Sequence, residues 1–363
     1  MARESMFGFS AVVFVAAASA LPAQAAETCD PVGKAQFVCL SEGAEDIAHV
    51  PKSDWVIVSG VLRAVNTKTH AEVDLFPASD KFDKKTYADC PGPIRGTEAA
   101  EKKIRAGGLN VEEGANGVHK LRFLHGGERR AVDVFELDAN GKTPALAWVG
   151  CIPYPQDAGF NSMGVLPNNG VVATNFLPAS MGGFRGDKGV NSRAKLSAGE
   201  NVSSLYEWMP GAGWSKIPGS EGSGLNGIEA SKDGKTIYVS EWAVNQVVKY
   251  TREPGKPAVK EVIAKLNFHP DNLRWQPDGT LMVAGQTGTV EDVLNTCLSK
   301  NDCSKNASSA AIIDPVKKTV REVVTAHPDS PAMHIATAGT IVGKEIWLAN
   351  IGGGTRIGRF PLP

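Results

Sequence analysis

The chain has 363 residues, 42% of them hydrophobic, with 39 glycines and 22 prolines, a composition that builds a large core with many turns and excludes a disordered chain. Its 38 basic and 39 acidic residues leave a formal charge of −1 and are spread along the sequence. No basic stripe forms, so nucleic acid and anionic membrane are not expected as partners, and a small-molecule substrate is.

Residues 1–26 read as a secretory signal peptide: Arg3 is followed by an apolar run from Met6 to Leu21 and the small-residue site Ala23-Gln24-Ala25. The competing reading is an uncleaved N-terminal anchor. No later segment is apolar for about eighteen residues, so no membrane span is expected in the mature chain, 27–363. An exported protein, periplasmic or extracellular, follows. Cys29, Cys39, Cys90, Cys151, Cys297 and Cys303 all lie beyond residue 26, an even set suited to disulfides in an oxidising compartment. Cys297–Cys303 is the pair closest to hand, Cys29–Cys39 the next, and the remaining connectivity is open. No CxxC occurs, which speaks against zinc.

After the signal, helical periodicity is scarce. Only "TEAAEKKIRAGG" (97–108) combines helix formers with a glycine stop. The rest is apolar strand pairs about tight turns, beginning with "DWVIVSGVLRAV" and then "RAVDVFELDANGKTPALAWV", which turns at Asn140-Gly141. "GVLPNNGVVATNF" follows, and "GDKGVNSRAKLSAGEN" (186–201) reads as a polar loop at a pocket rim. Then come "GIEASKDGKTIYVSEW", "NQVVKYTREPGKPAVKEVI", "NFHPDNLRWQPDGTLMVAG" and "GTIVGKEIWLANIG". Recurrence of one strand–turn–strand unit marks a repeat architecture.

Each unit opens on a polar residue in a turn-like context: Glu45, Asn116, Asn161, Asn226, Asp271 and His334, at intervals of 45 to 71 residues. That beat predicts an all-β chain in which six four-stranded blades close into a propeller, a single domain over 27–363. A two-sheet sandwich would not place a polar residue at the same point of every unit. Inner strands of a propeller start together around one axis, so Glu45, Asn161, Asn226 and Asp271 are expected to converge there. Carboxylates and amides offer oxygen ligands to a hard cation, and Ca²⁺ accepts about six to eight of them. Without a cation the two carboxylates would repel and one would be driven toward protonation. Asn272 is a further candidate ligand, although neighbours in a regular strand face opposite sides. Taken one at a time, such residues are also ordinary turn formers.

The candidate bases are His125, His334 and Asp271. Asn116 is read as orienting a carbonyl, with Trp242 and His269 facing the substrate pocket. A lone histidine or tryptophan is more often structural than functional, and only geometry can separate these roles.

"GAEDIAHVPKSDWVIVSG", "FNSMGVLPNNGVVATNF", "GLNGIEASKDGKTIYVSEW" and "HPDNLRWQPDGTLMVAG" resemble the calcium-dependent six-bladed propellers, a superfamily that includes senescence-marker/gluconolactonase and strictosidine-synthase-like proteins. The resemblance is greatest to the paraoxonase (arylesterase) branch, and it covers most of the chain from about residue 40 onward. It implies one central Ca²⁺ held by Glu45, Asn161, Asn226, Asp271 and Asn272, and hydrolysis of lactones or aryl esters. Three departures stand out. Ser162 replaces the Asp that helps hold a second, structural ion, although Asp46 is kept. Asn116 stands where that family has its catalytic histidine, with His125 at the place of its partner. Gln286 lies near the place of another pocket histidine. Loss of that histidine relay leaves a lyase, isomerase or synthase as the alternative chemistry, and a non-catalytic binding propeller as the third.

Overall fold

The computed structural model describes residues 29–76, 78–93, 105–126, 129–253, 255–325, 333–352 and 354–363. The signal segment 1–26 and most of the expected helix, 97–104, lie outside them. Six small antiparallel sheets form the blades of a propeller. Their inner strands are Ile47–His49, Arg105–Glu112, Phe160–Val165, Leu225–Ala230, His269–Trp275 and Ile335–Val342. Each packs against the next and the last against the first, so the ring closes. Blade 6 takes its outermost strand, Gln36–Cys39, from the other end of the chain, with Phe37 paired antiparallel to Gly358. Blade 2 carries an extra outer strand, Ser79–Asp80, paired parallel to Ala145–Pro153.

The blades alternate apolar faces, and the core lies between adjacent sheets. Trp347, Trp148, Phe123, Phe135 and Tyr250 are fully buried there. Three disulfides, Cys29–Cys39, Cys90–Cys151 and Cys297–Cys303, bind loops to this frame. The second ties the loop ahead of blade 2 to its strand Ala145–Pro153. Among the described residues, no helix is long and apolar enough to cross a membrane.

Two expectations are corrected. The segment 105–108, read as the end of a helix, begins the inner strand of blade 2, and Gly107-Gly108 is not a helix stop. Glycine is required there because the blades touch: a Cβ on Gly108 would stand 2.8 Å from Asn161 O and 3.0 Å from Ser162 Cα. The segment 186–201, read as a polar loop, contains the helix Val190–Ser197, with Arg193 and Leu196 buried one turn apart.

Every inner strand but the first breaks register near its start. The ladder slips between Ala106 and Leu109, Phe160 and Ser162, Leu225 and Ile228, Pro270 and Leu273, and Ala336 and Ala338. A bulge adds an unpaired residue and re-aims its side chain. At Gly227 the same crowding recurs, since a Cβ would lie 2.4 Å from Asp271 O and Leu273 N. Both are backbone atoms of the next blade and cannot rotate away. We therefore expect Gly227→Ala to cost about 1–3 kcal/mol in urea unfolding, the usual range for overpacking. A change smaller than about 0.5 kcal/mol, that of an ordinary surface substitution, would show that the blades yield.

Candidate functional site

The bulges gather polar groups at one mouth of the channel. Backbone contacts set the first of them: Ser59 Oγ accepts from the N–H groups of Glu45 (2.9 Å) and Asp46 (2.8 Å), and Thr337 Oγ1 of blade 6 donates to Glu45 O at 2.6 Å. Thr174 Oγ1 donates to Asn226 O at 2.6 Å, joining blades 3 and 4. Asn226 lies beside Asp271, and Asp271 lies within electrostatic reach of Glu45. Asn161 lines the same cavity as Glu45. Asn272 sits beside Asp271 in the blade 5 bulge, outside the paired ladder, so strand alternation does not send the two to opposite faces.

These groups are poorly matched to one another without a positive charge among them. The side-chain oxygens of Asn161, Asn226 and Asn272 are buried with no hydrogen-bond partner. Burial, then the neighbouring Asp46, pushes the Glu45 carboxyl up to about 7, against an opposing pull from Arg185. Burial, then Glu45, raises Asp271 well above the usual carboxylate range. An orphaned amide oxygen and a carboxyl pushed toward protonation are each unfavourable in an interior. Two carboxylates and three amide oxygens fit a hard cation that takes oxygen ligands in loose geometry, with room left for water or substrate. Among the described residues no cluster of three His, Cys, Asp or Glu side chains forms a metal site, which is consistent with a donor set dominated by amides.

Below this mouth the channel is plugged by a group the sequence reading missed. Arg274 Nη2 donates to Asp46 Oδ1 (2.7 Å) and to Leu109 O (3.1 Å), while Asp46 Oδ2 accepts the Leu109 N–H at 2.8 Å. Glu229 is near enough to feel that guanidinium, though burial still lifts its carboxyl to about 7. Asp46 is thus committed to Arg274.

His125 ends the second strand of blade 2 and lines the cavity of about 590 Å³ that also holds Glu45, Asn161, Arg130, Tyr154 and Phe160. Its Nδ1 meets Asp133 Oδ2 at 3.1 Å, and both side chains are buried. Trp148 Nε1 (3.2 Å) and Arg129 Nη2 (3.3 Å) hold the other Asp133 oxygen. Asp133 was not picked out from the sequence. It faces His125 only through the register that pairs His125 with Ala131, two residues before Asp133 on the adjacent strand.

Several residues read as functional lie elsewhere. Asn116 occupies an exposed turn after Glu112, at the far end of the inner strand of blade 2, because that blade starts at Arg105 and not at Asn116. Trp242 is 1% exposed, packed with Phe176 and stacked on His269 at 4.6 Å, so it presents no face to a substrate. His269 is buried as well, its two ring nitrogens held at Trp242 O (2.8 Å) and Gly288 O (2.9 Å). The Gln286 amide accepts the Trp242 indole N–H at 2.7 Å and donates to Ala336 O at 2.8 Å. His334 heads blade 6 with Nδ1 at 3.0 Å from Asn306 O and does not line the cavity of His125. Trp242 instead anchors a cap over the mouth. Insertions after Asn175 and after Gln286 share an apolar cluster of Phe176, Leu196, Val293, Leu294 and the Cys297–Cys303 bridge. Buried Arg193 joins them through Glu291 Oε2 at 2.8 Å.

No protein-family profile matches the sequence, and no curated protein matches it. Solved structures do. A gluconolactonase from Xanthomonas campestris superposes with a TM-score of 0.51 at 14% identity, over 91% of this chain and 89% of its own. A luciferin-regenerating enzyme gives the same TM-score at 11% identity, over 89% of this chain and 92% of its own. The chain shares the gluconolactonase-like six-bladed propeller fold. Identity this low speaks to fold alone.

Two outcomes follow from the charges. A carboxyl whose folded pKa is raised binds more protons in the folded state, so its contribution to stability falls as pH rises between the unfolded value, 4.5, and about 7. In EGTA, the melting temperature is expected to drop from pH 5 to pH 8, and calcium is expected to restore it at pH 8 by replacing the protons. A chelated protein equally stable at both values would refute this. Arg274→Met should destabilise by about 3–5 kcal/mol in urea unfolding, because Asp46 is left buried and unpaired.

Proposed function

We propose that the chain is an exported, calcium-dependent hydrolase of lactones or aryl esters. The observation that carries this reading is one cavity lined both by ligands of the candidate ion site and by a histidine held by a buried carboxylate. Export draws on the N-terminal segment and on the three disulfides, which belong with an oxidising compartment. A lactonase of the same fold makes lactone opening a natural reaction for this scaffold, although fold does not dictate chemistry.

Glu45, Asn161, Asn226, Asp271 and Asn272 would hold the ion. Calcium, when bound, supplies a Lewis acid that polarises the substrate carbonyl. The protein supplies the proton transfers. Asp133 keeps the His125 proton on Nδ1, which leaves the Nε2 lone pair for the cavity. His125 Nε2 takes a proton from water as the water oxygen bonds to the carbonyl carbon, and Asp133 stabilises the imidazolium formed. The same Nε2–H then protonates the leaving oxygen as the acyl C–O bond breaks, giving a hydroxy acid from a lactone or an acid and a phenol from an aryl ester. Of the three candidate bases, His125 alone has the partner and the place for this. Asp271 serves the ion, and His334 lies outside the cavity.

Turnover of dihydrocoumarin and phenyl acetate, with and without chelator, tests the proposal. Asp271→Ala should lose both bound calcium and turnover. His125→Gln should keep calcium while kcat falls about 10²–10⁴-fold, the usual contribution of general acid–base catalysis. Unchanged calcium content and turnover in Asp271→Ala would end the proposal.

A further inference from the structure

Arg129 and Arg130 are neighbours at the edge of blade 2 with opposite surroundings. Arg129 turns inward to the buried Asp133. Arg130 lines the cavity of the candidate site, next to Tyr154 and Phe160. Its guanidinium is exposed yet held in place: Nη1 donates to Gln156 O at 3.4 Å, Nη2 donates to Ala158 O, and the group lies 5.9 Å over the Tyr154 ring. All three anchors are neutral, and among the described residues no carboxylate pairs with Arg130. A guanidinium has five N–H donors. Two are engaged here, and the others remain for a group outside the protein.

The walls beside Arg130 include apolar side chains: Leu124, Tyr154, Phe160 and Ile351. Glu42 and Glu45 also line the cavity, and Glu45 belongs to the ion site. A neutral ester would need the apolar wall and the ion, but would give a pinned, unpaired guanidinium nothing to bind. Arginine fixed by neutral contacts in a hydrophobic cleft is suited to forked recognition of a carboxylate or phosphate.

We propose that the substrate of this site carries an anionic oxygen group, carboxylate or phosphate, received by Arg130, with its apolar body against Tyr154 and Phe160. This rests on the reading of the cavity as the hydrolase's substrate site and narrows the substrate class. The anion is not consumed; it orients the ester so that the carbonyl faces the Glu45 and Asn161 side and His125.

The test uses matched compounds on the calcium-loaded protein. Turnover is measured for phenyl acetate, 4-carboxyphenyl acetate and the 4-phosphate analogue. Binding is measured by calorimetry for acetanilide and 4-acetamidobenzoate, which the enzyme need not cleave. One charge-assisted contact predicts about a tenfold to hundredfold preference for an anionic compound over its neutral match. In Arg130→Ala that ratio should collapse toward one, and Arg130→Lys should retain part of it. The carboxylate and phosphate arms decide which anion the site prefers. Equal binding of acetanilide and 4-acetamidobenzoate, or a ratio untouched by Arg130→Ala, overturns the proposal. Selective binding of 4-acetamidobenzoate with no turnover of any ester would instead overturn the hydrolase reading and leave the anion site standing.

Discussion

The constraint on which the structure turns is the charge inside the ring. Glu45, Asp46, Glu229 and Asp271 stand around one channel, brought there by three different blades, and they lie in an interior that penalises each negative charge. Arg274 supplies one positive charge and is bonded directly to Asp46. The others are left with two ways to reach balance, a proton or a cation. Protonation of Glu45 and Asp271 would supply at most two O–H donors for the three unpartnered amide oxygens of Asn161, Asn226 and Asn272. A cation answers both needs at once, which is why the amides and the acids are best understood together.

The ring of candidate donors is incomplete at blades 2 and 6, and while Thr337 of blade 6 is bonded to Glu45 O, the gap at blade 2 borders the cavity. Blades 1, 3, 4 and 5 present Glu45, Asn161, Asn226 and Asp271-Asn272, whereas blade 2 presents Gly107, where a Cβ would stand 3.6 Å from Glu45 Oε2. With no side chain there, the wall recedes to the second strand of the blade, which carries His125. The cavity opens at the point where the ligand ring is missing a member. Glycine therefore does two things at this position: it sits in the bulge and it leaves the cavity open between Glu45, Asn161 and the histidine. The cap insertions from blades 3 and 5 cover the opposite side of the mouth with an apolar cluster, so approach from the blade 2 side is favoured.

The sequence made the repeat legible because a propeller writes its period plainly, as apolar pairs about Asn, Asp and Gly turns with a polar residue before each. The candidate ligands Glu45, Asn161, Asn226 and Asp271 are marked by that beat as polar residues at the starts of inner strands. Asn116 could not be rejected, because Gly107-Gly108 looks like a helix stop and the inner strand of blade 2 is short of hydrophobic residues at its start. Trp242 and His269 sit just beside the axis in sequence but are folded under the cap, and the insertions that bury them have no periodicity to announce their packing. Asp133 and Arg274 depend on strand register and on contacts across blades, with Arg274 separated from Asp46 by 228 residues. A single sequence carries little trace of such pairs. The placing of Asn272 is hidden for a related reason, since alternation holds only where the ladder is regular and the bulge at Pro270–Leu273 breaks it.

The division between Arg274 and the upper donors separates closure of the ring from the proposed chemistry. A guanidinium cannot be washed out or exchanged, and its bonds to Asp46 and Leu109 O tie blades 1, 2 and 5 permanently. The frame is therefore closed whether or not the upper donors hold an ion. Those donors are then free of a structural duty and can be placed for a weaker, open coordination that leaves positions for water or a carbonyl. A propeller that relied on metal at both levels would gain nothing in reactivity from the lower one and would come apart under the same chelation that stops turnover. Under the proposed function, loss of an ion from the upper donors should silence the site while leaving a folded ring, with the penalty confined to the carboxyls that must then share protons.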